Sequence, residues 1–250
     1  MMYSPLDQFK IAPLVSLVFA GVDLSITNFL VASLLALFTL RSYVFFTKSK
    51  TNSFFVVPSG WQNVIEKLYS VVAQCTSSIS VGGEKYLPFL SVVFMFILTN
   101  NLIGLVPYSF TTTSYITLTF FMSFSIFVGL IIVGFQRHGL NFFSLFLPSN
   151  TTFLLALLLV PVELISYIAR PISLGVRLFI NLMAGHTLLK VIVGFSWSML
   201  LLENLTAIMF IIPLLVLVLL MFLELGVALI QAYVFLTLTC IYLNDSEALH

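Results

Sequence analysis

The stretch PISLGVRLFINLMAGHTLLK, residues 171–190, places polar and charged side chains inside a long hydrophobic region. These side chains belong to Arg177, Asn181, His186 and Lys190. An arginine within a membrane helix costs about 2.5–3.5 kcal/mol on insertion scales, and its guanidinium stays protonated. No carboxylate lies within one helical turn of Arg177, since the nearest acids are Glu163 and Glu203. We therefore expect the partner of Arg177 on another helix or on another protein.

The composition of the whole chain agrees with a membrane location. Of its 250 residues, 60% are hydrophobic and 8% are charged, whereas roughly 25% are charged in a soluble domain. Its net charge of +1 gives no reason to expect a nucleic-acid partner. The two cysteines, Cys75 and Cys240, are far apart and indicate neither a metal site nor a disulfide framework. No motif predicts a bound cofactor.

The hydrophobic segments predict an all-α polytopic membrane protein with a single membrane domain, residues 1–250. We expect about five membrane-embedded helices and one interfacial amphipathic helix. The first span covers residues 25–46, and the interfacial helix covers 58–76. A helical hairpin covers 86–135, and a long hairpin of two tilted helices covers 151–243.

The interfacial helix is predicted from its periodicity. Apolar residues share one face of a helix, and polar residues lie opposite, which is typical of a helix in the membrane plane. The apolar face comprises Trp61, Val64, Ile65, Leu68, Val72 and Cys75, and the polar face Gln62, Asn63, Glu66, Lys67 and Gln74.

The last two segments are too long for upright spans. Residues 151–197 would measure about 70 Å as a helix, against a bilayer core of about 30 Å. The segment is therefore either two upright helices or one steeply tilted, bent helix, and Pro171 is the expected bend. Residues 205–243 pose the same choice around Pro213.

Basic residues predict the orientation of the chain. They flank one side of the 86–135 hairpin, and this side corresponds to the cytoplasm or the mitochondrial matrix. The amino terminus then lies on the opposite side. These basic residues are Arg41, Lys48, Lys50, Lys67, Lys85 and Arg137.

Candidate functional residues follow helical spacing. Glu163, Arg170 and Arg177 are seven residues apart and share a face, which Ser173 and Asn181 flank. His186 is nine residues from Arg177 and lies on nearly the opposite face.

The final segment adds Glu224 and Gln231, which share a face, and Asp245, expected just past the end of the helix. His186 and Glu224 together favour a proton relay over a buried structural histidine.

Structural roles remain open for several of these residues. Arg170 could reach a lipid headgroup, and Arg177 could form a salt bridge to a neighbouring helix. Asn181 and Gln231 could hydrogen-bond adjacent helices.

Several motifs resemble subunit a of F-type ATP synthases, in its mitochondrial, fungal-like branch. The most specific motif is SLGVRLFINLMAGH, residues 173–186. The others are SPLDQF (4–9), PYSFTTTSY (107–115), SYIARPIS (166–173), LELGVALIQAYVF (223–235) and LTCIYLNDS (238–246).

The resemblance implies a non-catalytic stator subunit that conducts protons through two half-channels against a ring of c subunits. Protons would enter from the intermembrane space past His186 and Glu224, and would leave to the matrix past Glu163 and Asp245. Arg177 would separate the two paths. Partners would be the c-ring, other membrane-sector and peripheral-stalk subunits and the lipid bilayer.

The resemblance also implies the mitochondrial inner membrane, with the amino terminus in the intermembrane space and the carboxyl terminus in the matrix. Two other functions fit a charged membrane protein. A self-contained proton-coupled secondary transporter predicts inverted repeats, which the sequence lacks. A structural subunit of a respiratory complex predicts haem-ligand histidines or a quinone pocket.

Overall fold

The computed structural model describes residues 8–19, 22–23, 25–47, 60–79, 83–106, 109–139, 142, 153–200 and 210–247. Six α-helices account for most of them: α1 (Asn28–Thr47), α2 (Gly60–Ser77), α3 (Leu87–Gly104), α4 (Ile116–His138), α5 (Phe153–Leu200) and α6 (Ile211–Glu247). Four of them, α3 to α6, are long and apolar enough to cross a membrane, by length and composition. The all-α membrane fold predicted from the sequence is confirmed.

The amino-terminal region contains short strands that the sequence did not suggest. β1 (Pro13–Val15) pairs antiparallel with β4 (Ile26–Thr27), and β2 (Val18–Phe19) pairs antiparallel with β3 (Val22–Asp23). Because β4 occupies the two residues before it, α1 begins at Asn28 and not at the predicted position 25.

Side-chain hydrogen bonds fix the start of α1. The Thr27 hydroxyl accepts from the backbone N–H of Leu30 at 3.4 Å. The side-chain oxygen of Asn28 accepts from the backbone N–H groups of Ala12 and Phe29. Such oxygens satisfy helix N–H groups that have no partner within the helix.

The helix α2 is amphipathic as predicted, and its apolar face is exposed only near its start. Trp61 is 67% exposed and Val64 is 49% exposed, whereas Val72 is buried. Gln62 is buried and donates to the Glu66 carboxylate at 2.8 Å.

Residues 153–200 form one helix. The helix α5 contains 48 residues and includes both Pro161 and Pro171. Two upright helices are therefore the wrong alternative. Each proline removes one backbone hydrogen bond, which a long apolar helix in a membrane tolerates.

The helix α6 continues to Glu247, farther than predicted. Asp245 therefore lies inside the helix, and its predicted position just past the end is wrong. The polar last turn stays helical because its side chains have partners: Ser246 donates to the Leu243 carbonyl at 2.8 Å, and Asp245 pairs with Arg170.

The helices have apolar exteriors and several polar interior positions. Phe222 is 72% exposed and Leu157 is 68% exposed, whereas Thr119 and Asn101 are fully buried. This distribution suits a chain whose solvent is lipid, because every polar group must then find a partner inside the protein.

The chain divides into two compact units. The His186 unit comprises Met1–Ser42, Phe96–Tyr115 and Leu178–Ala232. The Asp245 unit comprises Tyr43–Met95, Ile116–Arg177 and Tyr233–His250.

A glycine allows two helices of the Asp245 unit to approach closely. A Cβ atom at Gly175 of α5 would lie 2.6 Å from the Ser123 hydroxyl and 3.0 Å from the Thr119 carbonyl oxygen of α4. The contact with backbone cannot be relieved by a rotamer change. Gly194 on the same helix has no atom within 4 Å of the corresponding position.

We predict that Gly175→Ala destabilises the packing of α4 against α5 by about 1–3 kcal/mol, the usual cost of overpacking. Gly194→Ala is the matched control and should be neutral or stabilising by up to about 1 kcal/mol, because alanine favours helix. The measurement is the temperature at which half of the folded protein is lost when each variant is heated in solubilised membranes. Equal temperatures for the two variants would contradict the close approach.

Candidate functional site

The polar residues of the His186 unit come together between α5 and α6. The His186 Nε2 atom lies 3.5 Å from Oε1 of Glu224, and the two side chains are 15% and 6% exposed. The carboxyl and the imidazole are therefore close enough to pair, although the distance is long for a hydrogen bond. The predicted meeting of these two residues is confirmed as geometry.

A second pair lies beside the first. Asn181 donates its amide N–H to the Oε1 atom of Gln231 at 2.9 Å. Asn181 precedes His186 on α5. On α6 the order of their partners is reversed, because Gln231, the partner of Asn181, follows Glu224, the partner of His186. The two helices therefore run antiparallel in this unit.

One glycine leaves space for Glu224, and a second lies close to His186. A Cβ atom at Gly185 would lie 2.8 Å from the Oε1 atom of Glu224. A Cβ atom at Gly104, the last residue of α3, would lie 3.9 Å from the Nε2 atom of His186. The pair is thus enclosed by α3, α5 and α6.

The same unit holds buried polar atoms that have no hydrogen-bond partner among the described residues. They are His186 Nε2, both carboxylate oxygens of Glu224, Gln231 Nε2, Asn101 Oδ1 and Thr113 Oγ1. Buried polar groups in proteins are almost always hydrogen-bonded to protein or to ordered water. A cluster of them therefore indicates a functional region that is suited to water.

Sequence reasoning missed the contribution of α3 to this region. Asn101 is fully buried and donates to the Ala228 carbonyl of α6 at 3.3 Å. Asn100 accepts a hydrogen bond from the Thr112 hydroxyl at 2.7 Å. The signal was the consecutive pair of asparagines inside an apolar helix, since polar residues within a span tend to be functional.

The Asp245 unit contains a separate charged cluster. An Nη atom of Arg170 lies 3.2 Å from the Asp245 carboxylate, with side chains 26% and 39% exposed. The guanidinium also lies 5.5 Å from the ring centre of Tyr167 and 5.3 Å from that of Tyr242. Arg170 is thus bound to α6 by an ion pair and by a cation–π contact.

Arg177 differs from the other charged residues of α5 because it is exposed. Within the described ranges, no carboxylate lies within 4.0 Å of its guanidinium. Ser173 bonds the Arg170 carbonyl of its own helix, at 2.9 Å, and Glu163 is partly buried. Of the two expected places for the partner of Arg177, another helix and another protein, the helices that the structure describes supply none.

Comparison with known proteins decides the family. The sequence profile of the ATP synthase A chain matches residues 27–244. The chain belongs to this family. It is 48% identical to ATP synthase subunit a of Pylaiella littoralis over 253 aligned positions, with 100% of both chains covered. It is 46% identical to subunit a of Brassica napus, covering 99% of this chain and 97% of the relative.

A bacterial relative extends the comparison. Subunit a of Rhodospirillum rubrum is 42% identical over 250 positions, with 100% of both chains covered. The resemblance to subunit a of F-type ATP synthases is thus confirmed, and with it the assignment to the non-catalytic, proton-translocating subunit of ATP synthase. The family and the long apolar helices together indicate a multi-pass membrane protein.

The close approach at Gly185 gives a prediction. Gly185→Ala should displace the Glu224 carboxylate, because its Cβ would otherwise lie 2.8 Å from Oε1. We expect proton pumping by the assembled complex to fall about tenfold or more, as a small misplacement of reacting groups can cause. Gly194→Ala, in open space on the same helix, should pump normally. Similar pumping by both variants would show that the position of Glu224 is not critical.

Proposed function

We propose that this chain is the proton-channel stator subunit of a mitochondrial ATP synthase and conducts protons through two offset half-channels at the interface with the c-ring. The observation that carries the proposal is the buried His186–Glu224 pair, which is surrounded by polar atoms without protein partners in the described chain. Such an arrangement suits protons and water, whereas the apolar exteriors of the helices suit lipid.

The half-channel on the side of the intermembrane space contains His186 and Glu224. A carboxyl and an imidazole can exchange a proton near neutral pH, which an apolar pair could not do. Asn181 and Gln231 extend the polar path on α5 and α6, and Asn101 adds a polar group from α3. Ordered water would satisfy the unpartnered atoms and connect them.

The half-channel on the matrix side contains Glu163 and Asp245. The Asp245 side chain is 39% exposed and pairs with Arg170. Its carboxylate is therefore held by a charged partner and is still accessible to solvent. A released proton could therefore pass from the membrane interior to this carboxylate and on to solvent. Ser173, which is exposed, lies between Glu163 and Arg177 in the sequence and completes the polar residues on this part of α5.

Arg177 separates the two paths. Its guanidinium is exposed and has no carboxylate partner in the described ranges, which fits a partner on another subunit. A fixed cation favours the ionised form of a ring carboxylate that passes it, so that this carboxylate releases its proton there. The cation also repels hydrated protons and prevents direct flow between the half-channels.

The orientation follows from the basic residues that flank the α3–α4 hairpin. The matrix side holds the start of α5 and the end of α6, and the amino terminus lies in the intermembrane space. The long α5–α6 hairpin is inclined in the membrane and faces the c-ring. Other membrane-sector and peripheral-stalk subunits hold it in place.

Arg177→Ala tests the proposal. We expect it to abolish ATP-driven proton pumping in inner-membrane vesicles while the complex still assembles, because the exposed guanidinium holds no partner within the described chain. Arg41→Ala is the control, an exposed arginine on α1. Normal pumping by Arg177→Ala in an assembled complex would refute the proposal.

The exchange of His186 and Glu224 tests the relay. Either single substitution, His186→Glu or Glu224→His, should slow proton uptake strongly, because it leaves two like groups in a buried contact. The double variant restores one carboxyl and one imidazole at 3.5 Å spacing and should recover part of the rate. A double variant no faster than the slower single would show that the two residues act independently.

A further inference from the structure

Glu247, near the end of α6, is a buried carboxylate with several partners. Its side chain is 1% exposed and lies 3.4 Å from an Nη atom of Arg137. The Tyr86 hydroxyl donates to the Oε1 atom at 2.5 Å. The His138 ring N–H at Nε2 donates to the backbone carbonyl of Glu247 at 2.9 Å. The hydrogen bond from the Tyr86 hydroxyl to the carboxylate is charge-assisted, and such bonds are roughly twice as strong as neutral ones.

These contacts join three helix ends of the Asp245 unit. Tyr86 immediately precedes α3, and Arg137 and His138 form the last turn of α4. Gly139, with a φ of +56°, ends α4 directly after His138, a common helix stop that only glycine adopts without strain. The end of α6 is therefore attached to the α3–α4 hairpin through one carboxylate.

Asp245 and Glu247 hold α6 from opposite sides. Residues two positions apart on a helix point about 200° apart. Asp245 pairs with Arg170 of α5, while Glu247 binds Arg137 of α4 and Tyr86. Rotation of the last turn of α6 about its axis would break both sets of contacts at once.

The two carboxylates differ in accessibility. Asp245 is 39% exposed, whereas Glu247 is 1% exposed and is occupied by a hydroxyl donor and a guanidinium. A proton carrier has to exchange with water, which Asp245 can do directly. Glu247 has the properties of a structural anchor.

We infer that Glu247 is a positioning residue, which fixes the end of α6 against α3 and α4 so that Asp245 faces Arg170 at the proposed matrix exit. The inference rests on the proposed function, because positioning matters only if Asp245 releases protons.

The test compares ATP-driven proton pumping by assembled complexes in inner-membrane vesicles, normalised to the amount of this subunit. Glu247→Gln keeps the shape but removes the charge that pairs with Arg137, and the resulting shift of Asp245 should slow pumping roughly tenfold, as a small misplacement of a reacting group can. Tyr86→Phe removes one hydroxyl and should slow it roughly threefold. Glu84→Gln, which removes an exposed carboxylate close to Tyr86 in the sequence, is the matched control and should leave pumping unchanged.

The charge exchange Arg137→Glu with Glu247→Arg separates positioning from proton transfer. The pair is rebuilt with its charges reversed, so a positioning role predicts faster pumping than with either single substitution. A double variant no faster than the slower single would overturn the inference, since a carboxylate at position 247 itself would then be required. Control-level pumping by both Glu247→Gln and Tyr86→Phe would also overturn it.

Failure of the proposed function gives a different result. Arg177→Ala in the same vesicles would then pump normally, whatever the Glu247 variants do. If Glu247→Gln does not assemble, the milder Tyr86→Phe decides, because it leaves the Glu247–Arg137 ion pair in place.

Discussion

Ionisable groups are costly in a membrane interior, and this chain meets the cost by pairing them between helices. Arg170 of α5 pairs with Asp245 of α6, and Arg137 of α4 pairs with Glu247. His186 of α5 lies against Glu224 of α6. Each pair joins segments that are distant in the sequence, so the charges that would oppose membrane insertion also specify which helix faces which. Arg177 departs from this pattern, since no described carboxylate meets it, and its partner is expected on another subunit.

Much of this arrangement could be predicted from the sequence because it follows from local spacing. The lengths of the apolar segments predicted α3 to α6, and the alternation of polar and apolar faces predicted α2. An antiparallel return of the last segment sufficed to bring His186 near Glu224. The motif at 173–186 predicted the family, which the similarity of the whole chain confirmed.

The remainder depended on tertiary contacts that no local pattern reveals. Glu247 lies past residue 243, the predicted end of the last helix, and only the positions of Tyr86 and Arg137 explain why α6 continues to this residue. The place of Asn101 in the site could not be predicted, because no local pattern shows that α3 lies against α6 at Ala228. Pro171 left the continuity of α5 undecided, because a proline can end a helix or be accommodated within it.

The length of α5 also determines how much the depth in the membrane changes from one residue to the next. A helix of 48 residues that stays within a hydrocarbon layer of about 30 Å changes depth by only about 0.6 Å per residue, less than half the rise along its axis. Most of each step is then lateral, about 1.4 Å in the plane of the bilayer. Neighbouring turns then experience nearly the same dielectric environment, and side chains one or two turns apart differ chiefly in their position in the plane of the bilayer.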